Sequence, residues 1–321
     1  MECSFYRVTS CALIPGPLRP SIIDRMRRVL LLVLIGSCLA STPAAAWGFD
    51  PHRFIMDRAI ALLPQELRPL FEKHRAMAVE RAIDPDTWRT AGFNAEEKNH
   101  FLDLDWEGYG KYPFKDLPRD YTQAIAKFGR DRVEEMGTLP WRVEEFHGNL
   151  RRAFEAYARR GTFGQFDIMF YSASLAHYVA DGHVPFHAVV NYDGQLTGQH
   201  GIHSRFESAL FERYRDQLTI APKAIPPIRN PRDAMFDTIV AGTQLVGPIL
   251  EADRKAIGNR DVYDDAYYTA FFAANRPVLE QRLNEAIAGV AAMIAGAWEA
   301  AGKPPVPIDP PPTVQRRRRQ P

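Results

Sequence analysis

Five residues between positions 177 and 207 have the types and spacing of metal ligands. His177 and Asp181 stand four apart, His203 and Glu207 repeat that spacing, and His187 lies between the pairs, just past Pro185. Residues four apart share one face of a helix, so each pair can turn two donors toward one ion. One such pair is weak evidence, because it more often marks a surface hydrogen bond or ion pair. Two pairs flanking a third histidine are stronger evidence, and their neighbours are apolar: Phe170, Ala173, Ala176, Val179, Val184 and Phe186. Burying ionisable groups there costs several kcal/mol unless something pairs with them, and a divalent cation can. Cys3, Cys11 and Cys38 all lie near the amino terminus, upstream of the cleavage site expected below, so a metal site must use His, Asp and Glu.

The motifs around these residues resemble those of the zinc-dependent phospholipases C and their relatives, the single-strand-specific zinc nucleases. The run Ala176-His177-Tyr178-Val179-Ala180-Asp181, continuing to Pro185-Phe186-His187-Ala188, resembles the central motif of both groups. Gly201-Ile202-His203-Ser204-Arg205-Phe206-Glu207 resembles the next phospholipase motif. The segment from His52 to Ile60 resembles the first helix of the family, and Asp86, fourteen residues before His100 and Phe101, matches the remaining ligand pair. The likeness runs from Trp47 to Glu207, about half of the chain, and beyond it only the helical type matches.

The resemblance implies three Zn2+ ions. One would be held by Asp86, His100, His177 and Asp181, and a second by His187, His203 and Glu207. The third would be held by His52, by Asp181 as a bridge, and by the amino group and carbonyl of Trp47. Asp84 is the alternative to Asp86, although the fourteen-residue spacing favours Asp86. Two ions roughly 3.5–4 Å apart can neutralise a phosphoryl group, and a metal-bound water can have its pKa lowered to about 7. The expected enzyme is a phosphodiesterase of phospholipase C type that attacks with zinc-bound hydroxide, with Asp86 as a possible proton acceptor. Glu207, the Asp86–His100 spacing and the short loop from His187 to His203 are phospholipase-like. The five-residue step from Trp47 to His52 is nuclease-like. Thr87 and Glu97 stand where the phospholipases carry choline-pocket aromatics, which counts against choline selectivity. The alternatives are therefore a single-strand nuclease or 3′-nucleotidase, and a zinc-binding exported protein without catalysis. The partner would be a phospholipid headgroup or a nucleotide phosphodiester. No protein partner is implied, and a monomer is expected.

Other candidates are weaker. His183 and His200 lie in the metal loops but are expected to pack rather than touch substrate. His74 and His147 read as surface or packing residues of amphipathic helices. Trp88, Trp106 and Trp141 read as core or loop anchors, with Tyr178 and Phe206 packed beneath the ligands.

The elements that must position these residues are helical. Asp50 can cap a helix beginning at Pro51, with Phe54, Ile55, Ala59 and Leu62 at helical spacing. A second helix is expected over 65–82. Residues 84–118, rich in Gly, Pro, Asp and Asn, read as a long loop with a short helix near Glu96. Helices are expected near 119–136, 140–160, 163–181, 202–217, 231–251, 262–275 and 277–300, with a loop over 182–201 and a break forced by Pro277. No alternating strand pattern appears. The expected fold is all-α: a single multi-helix domain over 47–302 with long metal-bearing loops.

The first 46 residues read as a leader. Arg25, Arg27 and Arg28 precede an apolar run over 29–40, and Ala44, Ala45 and Ala46 follow Pro43. This is the pattern of a signal peptide cut after Ala46, with Met26 as the expected true start. The protein would then be exported, periplasmic or secreted. Residues 34–38 loosely resemble a lipoprotein site ending at Cys38. Lipidation there would leave an extension before Trp47 and remove the amino-terminal ligand, so the metal argument favours Ala46. A free α-amino group titrates near pH ~7.7–8 and can bind zinc close to neutrality. The Pro-rich and Arg-rich stretch 303–321 is expected to be a disordered tail, with Arg316, Arg317, Arg318 and Arg319 as a possible contact for an anionic surface. The chain of 321 residues is 46% hydrophobic and 25% charged with net charge +1, which suffices for a core and gives no bulk electrostatic argument for nucleic acid or membrane.

Overall fold

The computed structural model describes residues 48–159 and 164–308. The leader, Trp47 and the tail from residue 309 onward lie outside the described residues. Helix α1, Phe49–Ile60, follows Gly48, carries Asp50 in its first turn, and buries His52, Ile55, Met56, Ala59 and Ile60. Next come α2, Arg68–Lys73, and α3, Arg75–Glu80, with a 3-10 turn at Arg81–Ile83. The single helix expected over 65–82 is thus split at His74, whose φ of −108° leaves the helical range.

Helix α4, Asp84–Thr90, replaces the start of the expected long loop. Pro85 sits in its first turn, where proline has no hydrogen bond to lose and a preset φ, while Asp84 and Asp86 favour the positive end of the helix dipole. A proline that reads as a loop signal is therefore a helix start here. Two 3-10 turns follow, Asn94–His100 and Glu107–Tyr109. The expected helix near 119–136 is divided into α5, Tyr121–Phe128, and α6, Arg130–Glu135, by Gly129, whose φ of 83° favours glycine.

The centre of the fold is α8, Gln165–Asp181, which packs along α7, Leu139–Ala158. Residues 172–181 of α8 are buried all round, so the helix has no solvent face there. A 3-10 turn, Pro185–Ala188, follows it. The next segment runs through α9, Ile202–Ser204, a π-helical turn, Arg205–Ala209, and α10, Leu210–Tyr214. Helix α11, Pro231–Ile257, packs on the Pro185–Ala188 turn and on α7, and α12, Asp265–Ala300, packs on α1, α7, α8 and α11.

Pro277 does not break α12. Proline inside a helix costs about 3 kcal/mol. Phe271 and Phe272 before it and Leu279, Leu283, Ala286 and Ile287 after it are all buried, and that packing outweighs the local cost. The tail also begins later than expected. Pro304 and Val306 are buried, Trp298 Nε1 donates to the Pro304 carbonyl at 2.8 Å, and Gln165 and Lys73 donate to the Ile308 carbonyl. The described residues contain no strand, and no described helix is long and apolar enough to cross a membrane.

Candidate metal centre

Four elements converge on one buried carboxylate. Asp181, at the last turn of α8, has its side chain fully buried. Its Oδ2 lies 2.9 Å from His100 Nδ1 and 3.3 Å from His177 Nε2, while its Oδ1 lies 3.3 Å from His52 Nε2 and 4.0 Å from His187 Nδ1. Asp86 on α4 faces the same point, with its Oδ1 3.9 Å from both His100 Nδ1 and His177 Nε2. The His52 and His177 rings stack with centroids 3.9 Å apart. Beside them, His203 Nε2 lies 3.0 Å from Glu207 Oε2, and His187 Nε2 lies 3.9 Å from the same oxygen. The π-helical turn carries Glu207, so the local widening of the helix sits at the site.

Three groups of donors are close enough to share an ion: His52, Asp86 and His177; His100, His177 and Asp181; and His187, His203 and Glu207. All eight described side chains expected as ligands are brought together. The ninth expected ligand, Trp47, lies outside the described residues, but Gly48 beside it is pinned: its amide donates to Ser208 Oγ at 3.1 Å, one residue past Glu207. Asp84 turns away to Arg81 at 2.9 Å, which leaves Asp86 as the carboxylate of this helix at the site.

The backbone aims the imidazoles. His177 Nδ1 donates to the Ala82 carbonyl at 2.8 Å and His187 Nδ1 to the His100 carbonyl at 2.5 Å, which turns each Nε2 inward. The amides of Leu102 and Leu104 donate to the His187 and Ala188 carbonyls, lacing the His100 segment to the His187 turn. Behind His100, Glu96 accepts from Arg142 Nη2 at 2.8 Å and from the Tyr178 hydroxyl, and its Oε1 lies 3.9 Å from His100 Nε2.

Many inward atoms make no hydrogen bond, even where another donor of the cluster lies close. They are both nitrogens of His52, Asp86 Oδ2, His100 Nε2, Asp181 Oδ1, His187 Nε2, both nitrogens of His203, and both oxygens of Glu207. A buried polar atom without a partner costs about 1–3 kcal/mol, so such a concentration needs a compensating charge. The protonation tendencies show the same conflict. Burial, joined by the negative charges of Asp181 and Asp86, pushes Glu207 well above the usual carboxylate range. Burial pushes His187 down to about 3 and His203 down to about 4, and with the His177 charge it lowers His52 as well. Against burial, the carboxylates of Asp181 and Asp86 lift His177 to about 9. Asp181 is held well below its usual value against burial, chiefly by His177. Nitrogen and carboxylate donors with partnerless atoms at this density fit divalent metal ions.

Sequence reasoning missed Arg89. It stands one turn after Asp86 on α4, with its Nη2 3.3 Å from Asp86 Oδ1, and brings a guanidinium to the cluster. The i,i+3 spacing was the available signal, and it carries meaning only once α4 is a helix. It missed Glu96 and Arg142 as supports because that pairing spans 46 residues. His183 is buried, with Nδ1 on the Val179 carbonyl and its ring edge against Gly289, and His200 is exposed. His147 is buried and His74 hydrogen-bonds Gln165 at 2.8 Å, both as packing residues. Trp141 is buried with Nε1 on the Arg119 carbonyl, and Trp88 and Trp106 pack against the core. Tyr178 and Phe206 are fully buried. Glu97 is exposed and Thr87 Oγ1 donates to the Asp84 carbonyl. No protein-family model matches the chain, and no curated protein matches it.

Proposed function

We propose that this chain is an exported zinc-dependent hydrolase of phosphate esters, of the phospholipase C type. The observation that carries this reading is the ring of buried, partnerless imidazole and carboxylate atoms around Asp181. Zinc suits a donor set of His and Asp/Glu without thiolate. Asp86, His100, His177 and Asp181 would hold one ion and His187, His203 and Glu207 a second. His52 and Asp181 would hold a third, together with the amino terminus freed at Trp47. When bound, the ions would neutralise phosphoryl oxygens and activate a water at neutral pH.

The protein's own groups prepare that site. The carbonyls of Ala82 and His100 hold the rings of His177 and His187 with each Nε2 facing inward, so the rings need no reorientation. Asp86 Oδ1 faces Arg89, while Oδ2 has no partner and is the atom placed to accept a proton. Arg89 adds a guanidinium suited to an anionic phosphate oxygen. Glu96, Arg142 and Tyr178 brace His100 from behind.

The nuclease reading is favoured by the five-residue step from Trp47 to His52 and by the lack of aromatic side chains at Thr87 and Glu97. The protein beginning at Trp47 is to be assayed on phosphatidylcholine vesicles, single-stranded DNA and 3′-nucleotides, with and without a chelator. Chelator-sensitive release of phosphocholine supports the phospholipase reading, and nucleotide products support the nuclease. Absence of chelator-sensitive turnover across a broad set of phosphate esters refutes the enzyme.

A further inference from the structure

A second site lies on the far side of α8. Val179 stands two residues from both His177 and Asp181, which puts it on the opposite face of the helix from the metal donors. There, Val179 and His183 border a cleft of about 710 Å³ between α11 and α12, beside the irregular segment 219–230. Pockets that bind small molecules commonly measure about 300–1,000 Å³. Much of the wall is apolar, including Ile228, Met235, Leu245, Ala288 and Met293.

One polar group in this wall lacks a partner at one end. His183 is only 6% exposed, and its Nδ1 lies 2.7 Å from the Val179 carbonyl. A carbonyl only accepts, so Nδ1 carries the proton and Nε2 presents a lone pair. Among the described residues nothing donates to Nε2. Gly289 of α12 faces that edge of the ring: a Cβ there would stand 3.2 Å from Cε1 and 3.6 Å from Nε2, so glycine leaves the edge uncovered.

The cation in the same wall is already engaged. Arg282 donates through Nε to the His183 carbonyl at 2.7 Å, through Nη2 to the Gly182 and Thr238 carbonyls at 3.3 Å, and through Nη1 to Glu285 at 2.7 Å. Lys223 lines the cleft but is exposed. Asp237, Thr238, Gln281, Asn284 and Glu285 also border the cleft, but none is buried, and each is hydrogen-bonded to a neighbour. The buried part of the lining thus offers apolar surface and the His183 acceptor, with its one buried cation already engaged.

We propose that this cleft is a binding site for a lipid alcohol: a single apolar chain whose hydroxyl donates to His183 Nε2. The site stands apart from the metal centre and does not depend on its activity. The zinc-loaded chain beginning at Trp47 is to be titrated calorimetrically with 1-decanol, decyl methyl ether and decanoate. Decanol should bind saturably at one site. The ether, which cannot donate, should bind about three- to tenfold more weakly, the worth of one neutral hydrogen bond. Ala241→Phe, which fills the cleft from an exposed position on α11, should weaken decanol at least about tenfold with unchanged metal content, as loss of the buried chain contacts requires. Absence of saturable decanol binding, or undiminished binding by A241F, overturns the site. Equal affinity for the ether overturns the role of His183. Tighter binding of decanoate overturns the alcohol in favour of a carboxylate held at Lys223.

Discussion

Asp253 and Asp181 are both buried carboxylates, and their surroundings differ in kind. Asp253 is answered on both oxygens. Its Oδ1 accepts from Arg205 Nη2 at 3.0 Å and from the Tyr267 hydroxyl at 2.5 Å, and its Oδ2 accepts from Gln199 at 2.7 Å. Arg205 in turn donates to the carbonyls of Gln199 and His200 and stacks 3.9 Å over Tyr263. Asp181 sits among imidazoles, with Oδ1 lacking a hydrogen bond and partnerless atoms on every side. Both networks meet the same segment, since Arg205 lies between His203 and Glu207. The chain can close a buried charge with its own donors, and it does so next to the place where it leaves charges open. The difference sets the Asp181 cluster apart as donors that could hold an ion, and the Asp253 cluster as scaffolding that holds two of those donors.

The sharpest way to break this comparison is Asp181→Ala. The open cluster should lose metal, and the proposed phosphodiesterase activity should fall by more than the about 10–100-fold that loss of a supporting residue costs. Zinc analysis and kinetics check this, and full zinc content in D181A would erase the distinction. Asp253→Ala should act on folding instead. It leaves Arg205 buried without its carboxylate, a loss of about 3–5 kcal/mol in denaturant unfolding, whether or not metal is bound. A D253A protein of unchanged stability would show that the closed network is not scaffolding.

Glu96→Gln probes the boundary between the two kinds. It removes a charge 3.9 Å behind His100 and should weaken metal binding about 10–100-fold in a chelator competition while the fold persists. A pH-dependent effect concerns His147, a polar group buried with neither metal nor ion pair. Burial, against a hydrogen bond to the Ile228 backbone, lowers it to about 4. The unfolded chain therefore binds its proton first. The stabilisation is complete above pH ~6.5 and declines as pH falls toward 4, by up to about 1.4 kcal/mol per pH unit. H147F should flatten that acid slope in urea unfolding followed across pH.

The local parts of this picture were legible in the sequence. His177 with Asp181 and His203 with Glu207 are spaced by one helical turn, and the apolar residues around them signal burial. The long-range parts were not. Arg205 and Asp253 lie 48 residues apart, Arg142 and Glu96 lie 46 apart, and neither pairing leaves a periodic trace. Pro85 and Pro277 misled in opposite ways. One opens a helix that a loop reading hid, taking Arg89 with it, and the other is overridden by the packing of α12. Residues 303–308 look like tail by composition, yet Trp298 and Gln165 hold them through main-chain carbonyls, which composition does not reveal.

We propose that the donors around Asp181 form a metal centre completed by the amino terminus at Trp47. Elemental analysis of the protein beginning at Trp47, beside a variant with one residue added before it, tests this most directly. Three zinc ions per chain are expected in the first and fewer in the second. A chain that folds and carries no zinc would contradict the metal centre, and full occupancy in the extended variant would contradict the amino-terminal ligand.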